Sequence, residues 1–330
     1  MQLPLEAMLP ENRQTFEDAL KVARMYYHLN LTTAEIGEQL GIARPTVSRL
    51  LGWARSNGLV EFRVIDHTQQ QLSLESEIED RWGVRDVKVV PTRPDATVAE
   101  LHAAVTRFAA HYLNSIVSER ATIALAWGAT VAQIAERLIP KPLPGVNVVQ
   151  LTGSGNNQGG HGITDAANII GTFASNYHGH GHLLPIPAYF DDPATKEAMF
   201  RERVVKRVRG LSGRADIVLY SIGTPDANSY IYRAGYVEDA ELAQLRSEGV
   251  VGDIATVFFR ADGSSSDIAM NRRSTGPDLA SLARHAYSIC VLAGMNKLEA
   301  LRGALRGGFM NTLILDEATA SQLVAEADDA

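Results

Sequence analysis

Six residues within one short stretch carry the first recognisable chemistry: Arg44, Pro45, Thr46, Ser48, Arg49 and Arg55. Arginine can pair bidentately with guanine edges or bond phosphate, and hydroxyls donate to either, so this set suits a DNA major groove. A second chemistry lies in four turns that follow apolar runs: Trp127-Gly128-Ala129-Thr130, Thr152-Gly153-Ser154-Gly155-Asn156-Asn157, Ser221-Ile222-Gly223-Thr224 and Gly294-Met295-Asn296-Lys297. Free amides at such turns can hold an anion such as phosphate, and Lys297 in the first turn of a helix adds a full positive charge to its dipole. Glycine after a strand is also ordinary turn chemistry, and spacing alone leaves both readings open for any one turn. Asp253, in GVVGDI, is a candidate acceptor for sugar hydroxyls or a cap on its own turn.

Other groups point less far. His178, His180 and His182 alternate with glycine, but no Cys, Asp or Glu lies within the run and the glycines suggest a loop, so no metal is expected. Asp191-Asp192 before Pro193 reads as a helix start rather than an acid/base pair. Cys290, the single cysteine, sits in YSICVLA and reads as a buried small hydrophobe. Gly153-Ser154-Gly155 lacks the third glycine and the downstream acid of a dinucleotide fingerprint, and no Gly-x-Ser-x-Gly elbow occurs. No cofactor is expected.

These residues need elements to hold them. Ile36 and Leu40, the turn at Gly41, and the stripe of Val47, Leu50 and Leu51 predict two short helices closing on each other. Phe16, Leu20, Ala23 and Tyr27 predict a helix before them. Thr32 to Glu35 is a capping box for the second helix, whereas Ala43 is a poor cap for the third, with Pro45 tolerated in its first turn. Gly58 ends that helix, and Leu59 to Ile65 alternates as a strand, which makes the head winged. A boundary is placed near His67, giving a head of residues 1–66 and a body of 67–330. The body alternates strands at Asp86 to Val90, Thr122 to Ala126, Asn147 to Leu151, Ile217 to Tyr220, Tyr287 to Ala293 and Thr312 to Leu315 with amphipathic helices. That alternation predicts a doubly wound α/β domain with parallel strands. Asp262-Gly263 suggests a hairpin turn.

Composition sets the bounds. The chain has 330 residues, 45% hydrophobic content and a net charge of −7, which argues against a protein that coats nucleic acid. From Arg44 to Arg63 there are four arginines and one acid, so a basic footprint confined to the head is expected, with the acidic body away from DNA. No apolar run reaches membrane-spanning length, and the start lacks the features of a signal peptide, which places the expectation in the cytoplasm.

Taken with that head, body and set of turns, several segments carry a resemblance over nearly the whole length: ARMYYHLNLTTAEIGEQLGIARPTVSRLLGWARSNGLVEFRV, AWGAT, VVQLTGSG, LLPIPAYF, IVLYSIGT, GVVGDI and VLAGMNKLEALRGALRGGFMNTLILDEATASQL. Through them the chain resembles the SorC-type family of bacterial sugar-binding transcriptional regulators. The resemblance implies a winged helix-turn-helix head on an effector domain similar in fold to sugar-phosphate isomerases and glucosamine-phosphate deaminases. It also implies dimers or tetramers, operator DNA as partner, and a phosphorylated sugar or polyol as effector. Gly128, Ala129 and Thr130 match the phosphate loop, Thr152 and Gly153 the second loop, and Gly223 a turn glycine. Asp253 matches the acid that contacts sugar hydroxyls, Lys297 the basic residue near the ligand, and Arg233 is a looser match. Three features depart from the family pattern: Ala43 for the usual hydroxyl cap, Ala293 for the first of two glycines, and His161 with the His178 to His182 run, which have no counterpart. The expected function is regulation of carbohydrate or polyol catabolism. The alternative is a sugar-phosphate isomerase or deaminase with an accessory head, against which no convincing acid and base pair is visible near the turns.

Overall fold

The computed structural model describes residues 10–27, 29, 31–60, 67–154, 163–227, 229–233 and 235–325. The chain divides into two compact units, residues 1–66 and 67–330.

Among the described residues the first unit contains three helices: α1 (Pro10–Tyr27), α2 (Thr33–Leu40) and α3 (Arg44–Ser56). Ala19, Val22, Ala23 and Met25 of α1 pack on Ile36, Val47, Leu50, Leu51 and Ala54, the stripe that the apolar spacing requires. Thr32 and Glu35 cap α2 reciprocally, the Thr32 hydroxyl accepting from the Glu35 amide at 3.3 Å. Gly41 turns the chain with φ of 64°, a conformation that costs a side-chain-bearing residue more. Ala43 offers no side-chain cap to α3. The strand expected over Leu59 to Ile65 lies mostly outside the described residues.

The second unit opens with α4 (His67–Trp82), β1 (Asp86–Val90), α5 (Val98–Ile116), β2 (Thr122–Leu125), α6 (Ala129–Arg137) and β3 (Asn147–Gln150). It continues through α7 (Ile163–Tyr177), β4 (His180–His182), α8 (Pro193–Phe200), α9 (Arg203–Ser212), β5 (Ile217–Tyr220) and β6 (Ile222–Gly223). Then come α10 (Tyr230–Arg233), α11 (Asp239–Ser247), β7 (Val250–Ile254), β8 (Val257–Arg260), β9 (Tyr287–Val291), α12 (Leu298–Arg306), β10 (Thr312–Asp316) and α13 (Glu317–Ala325). Seven strands form a parallel sheet in the order β1-β10-β9-β5-β2-β3-β4. Alternate side chains enter opposite layers. Ile217 and Leu219 join the helices α5, α6 and α7, while Val218 and Tyr220 join α4, α12 and α13. Burial on both faces is why these strands read as unbroken apolar runs.

β2 leads outward to β3, whereas β5 leads the opposite way to β9, so a crevice opens beyond the carboxyl ends of β2 and β5. A second sheet, β6-β7-β8, is antiparallel.

Two expectations need correction. His180 to His182 is not a loop but the edge strand β4, paired with β3 from Asn147 to Val149, with His182 Nε2 at 2.9 Å from Asn147 Oδ1. Backbone pairing overrides the low strand preference of the glycine there. The hairpin does not turn at Asp262-Gly263, which forms a tight turn after β8; β7 and β8 are joined by Ala255-Thr256. Both joining residues have positive φ, 48° and 73°, without being glycine. That geometry has no sequence signature, because glycine, asparagine and aspartate are what normally mark it.

Candidate functional site

The crevice holds a cavity of about 400 Å³, in the size range of small-molecule sites. Gly128, Ala129, Thr130, Thr152, Gly223, Arg233, Asp253 and Lys297 all line it. Gly153 does not. Its amide donates to Thr275 Oγ1 at 3.1 Å, its carbonyl accepts from Trp127 Nε1 at 2.8 Å, and a Cβ there would lie 2.3 Å from the Pro187 carbonyl oxygen. It is a close-packing glycine that lets two loops meet. Asn156, Asn157 and His161 lie outside the described residues.

One part of the lining suits an anion. Gly128, with φ of 129°, ends the link from β2, and α6 starts at Ala129 with no side-chain cap. The first-turn amides of Ala129, Thr130 and Val131 have no partner within the helix and border the cavity, at the positive end of the helix dipole.

Another part of the lining is acidic and basic at once. Asp253 closes β7 opposite Gly223 of β6, and a Cβ at Gly223 would lie 2.1 Å from its Oδ1, so glycine is what leaves room for this carboxylate. Asp253 also accepts from the Thr256 amide at 3.3 Å, capping its own turn. It is 6% exposed, and burial pushes its carboxyl up to about 6, against the opposing pull of the Thr256 amide and Lys297. Burial lowers the Lys297 ammonium in turn, opposed by Cys290, Asp253 and Asp226. Its Nζ lies 3.5 Å from Ser221 Oγ. The loop that carries Lys297 is anchored by buried Asp316, whose Oδ2 accepts from the Gly294 amide at 2.8 Å. Ala293 is fully buried beside it.

Thr152 and Thr256 at the cavity wall and Ser274 and Thr275 next to them form a buried cluster of hydroxyls. Thr152 Oγ1 lies 2.9 Å from Thr256 Oγ1, which lies 2.9 Å from Ser274 Oγ, and Thr275 Oγ1 bonds the Pro187 and Ala188 carbonyls at 3.0 Å. These bonds hold Thr256 in its left-handed backbone conformation, an energetic cost that the surrounding structure must offset. Trp127 forms a rigid wall, stacked on Tyr236 at 5.0 Å.

The structure adds His102, Asp226, Ser229 and Thr256 to the cavity. The His102 imidazole is pushed down by burial and by Lys297, with Asp316 opposing. Asp226 accepts from the Thr224 hydroxyl. The Pro225-Asp226 turn signal could have drawn attention to this acid. His102 reaches the cavity from α5, an element remote in sequence, and no spacing rule would find it.

In the first unit, Arg44, Pro45, Ser48, Arg49 and Arg55 are exposed and Thr46 is partly so. Arg44 Nε donates to Thr33 Oγ1 at 3.1 Å and Arg55 Nε to the Tyr27 hydroxyl at 3.2 Å. Thr46 and Arg49 border a groove between α3 and α1, with Asp18 and Lys21 on its far side. Among the described residues no cluster of three or more His, Cys, Asp or Glu is placed to hold a metal, and no helix is long and apolar enough to cross a membrane.

The family model for "Putative sugar-binding domain" matches residues 66–325. The chain is 34% identical to the deoxyribonucleoside regulator of Bacillus subtilis (strain 168), over 95% of this chain and 99% of that protein. Among solved structures, a domain of a possible sugar-binding transcriptional regulator from Arthrobacter aurescens TC1 is 41% identical, with a TM-score of 0.72 over 77% of this chain and 97% of that one. The full-length sorbitol operon regulator SorC from Klebsiella pneumoniae is 25% identical, with a TM-score of 0.69 over 93% of this chain and 98% of that one.

Proposed function

The chain belongs to the SorC-type family of sugar-binding transcriptional regulators, and from that premise we propose that it controls genes of carbohydrate or polyol catabolism in response to a phosphorylated sugar or polyol. One observation carries the effector class. The uncapped start of α6 and the buried pair Asp253 and Lys297 border a single cavity, so it offers amides for a phosphate and an acid for hydroxyls. In this reading Gly128, Ala129 and Thr130 take the phosphate, Thr152 supports it, and Asp253 and Lys297 grip the sugar. Arg233 closes the exposed rim.

The same reading makes α2 and α3 a helix-turn-helix within a winged head of residues 1–66, with Arg44, Pro45, Thr46, Ser48, Arg49 and Arg55 toward operator DNA. The working form is a cytoplasmic dimer or tetramer, because paired heads match a palindromic operator. A thermal-shift panel of phosphorylated sugars and polyols, their unphosphorylated parents and inorganic phosphate tests the effector class. A ligand at about a hundred times its dissociation constant stabilises the body by about 2.7 kcal/mol. A response to the parents equal to that for the phosphorylated forms, or no response at all, would sink the proposal. Gel shifts test the head: Arg49→Ala should weaken specific binding by about 1–3 kcal/mol.

A second reading, a sugar-phosphate isomerase or deaminase, gains from one finding: the cavity gathers His102, Asp226, Asp253 and Lys297, an acid and base set. Proton NMR of each stabilising sugar phosphate incubated with the protein decides between them. Unchanged spectra are expected for the regulator, and turnover would install the enzyme.

A further inference from the structure

The expectation of a basic footprint confined to the head fails at one helix of the body. Residues 196–214 contain seven Lys and Arg and two Glu, in a chain of net charge −7. Val205, Val208 and Ser212 turn α9 inward, which leaves Arg203, Lys206 and Arg207 on its outer surface, with Arg201 and Arg214 at its two ends. All five are exposed. None pairs with a carboxylate among the described residues, whereas neighbouring Arg209 lies over the Phe200 ring at 3.8 Å and Lys196 is bonded to the Arg272 carbonyl at 2.8 Å.

This arrangement is unfavourable on its own. Arg203 and Arg207 are four apart, and like charges at that spacing repel along a helix. Arg203 and Lys206 also occupy the first turn, where the helix dipole is positive and acids would be preferred. An external polyanion removes both penalties. Protein partners are usually gripped by aromatic and apolar anchors, yet the large hydrophobic side chain exposed on this helix is Val204 alone. Guanidinium groups without such anchors fit a phosphate backbone, whose contacts position a protein without reading sequence.

We propose that the outer face of α9 is a second, sequence-independent DNA contact, through which the body binds backbone phosphates. The test uses the full chain and a duplex of random sequence, without effector, so it stands apart from what fills the cavity. Arg203→Ala/Arg207→Ala is compared with the wild type and with Arg107→Ala/Arg284→Ala, which removes the same charge at exposed positions outside residues 196–214. Loss of two phosphate contacts should flatten the slope of log affinity against log salt by about 1.8. The slope of the control should keep its wild-type value, and Arg203→Lys/Arg207→Lys should restore it. An unchanged slope in the alanine variant overturns the proposal, as does equal flattening in the control, which would reveal net charge alone. A change in oligomeric state by light scattering would overturn it too, making the face an interface between copies. A wild-type protein that binds no random duplex at low salt would overturn the proposal as well, whereas failure to bind any operator in the gel shifts would fail the regulator reading instead.

Discussion

Asp253 carries a cost in stability that follows from its burial at the cavity. Its carboxyl titrates at about 6 in the folded chain, above the ordinary range near 4, because burial disfavours the charge. Between those two values the unfolded chain has released a proton that the folded chain still holds, so stability falls as pH rises through this window and then levels off. Asp253→Asn removes the ionisation but keeps an acceptor for the Thr256 amide. The ligand-free variant should therefore be more stable than wild type at neutral pH by roughly 1–3 kcal/mol, with the gap closing below about pH 4. Urea unfolding at a series of pH values reads this directly, and a pH-independent gap would contradict the assignment. The same variant should lose effector affinity, since a neutral amide grips hydroxyls and Lys297 less well. Gly223→Ala reaches the carboxylate from the other side: a Cβ 2.1 Å from Asp253 Oδ1 forces it to move. Calorimetric titration should then show effector binding weakened by tenfold or more, about 1.4 kcal/mol, with the fold retained by circular dichroism. Wild-type affinity would mean that the acid does not touch the ligand.

At the scale of elements, the weak point is the start of α3. Ala43 has the extended backbone of a cap, φ −67° and ψ 142°, but no side-chain oxygen to offer, and Pro45 leaves as the nearest donor the Thr46 amide, which bonds the Ala43 carbonyl at 2.8 Å. Ala43→Ser should give that amide a side-chain acceptor as well and stabilise the head by about 0.5 kcal/mol, seen as a higher midpoint in thermal melts; an unchanged midpoint would mean that the carbonyl bond already holds this end of the helix. The elements themselves were largely legible in advance. β1 and β5 fall at the limits that apolar periodicity predicts, because strands buried on both faces leave strong patterns. The sheet of β6, β7 and β8 left no such trace. Its hairpin turns on Ala255-Thr256, whose left-handed backbone is imposed by bonds to Ser274 and Thr152, residues distant in sequence. β4 likewise hid behind alternating histidine and glycine, since edge pairing supplies what propensity withholds. For the cavity, glycine turns after strands located the loops, but tertiary folding alone brought in His102, and Gly153 proved to serve packing rather than the cavity.

On the scale of the whole molecule, the cavity is lined entirely by residues between His102 and Lys297, and the candidate base-reading side chains lie between Arg44 and Arg55. In the proposed reading effector and operator are held by different residues, so a change in the protein's own state has to carry the control. An effector can change operator affinity only by favouring one of two states that differ in how they meet DNA. The coupling is then a single free energy, typically about 1–3 kcal/mol, and it must act equally in both directions. If an effector changes operator affinity by a given factor, saturating operator DNA should change effector affinity by the same factor and in the same sense. Fluorescence anisotropy with labelled operator gives one side of this cycle, and calorimetric titration of effector into the protein and its operator complex gives the other. Equal factors are expected. An effector that alters operator binding while its own affinity ignores DNA would point to a competing site on the head, and the cavity would then have to be assigned another role.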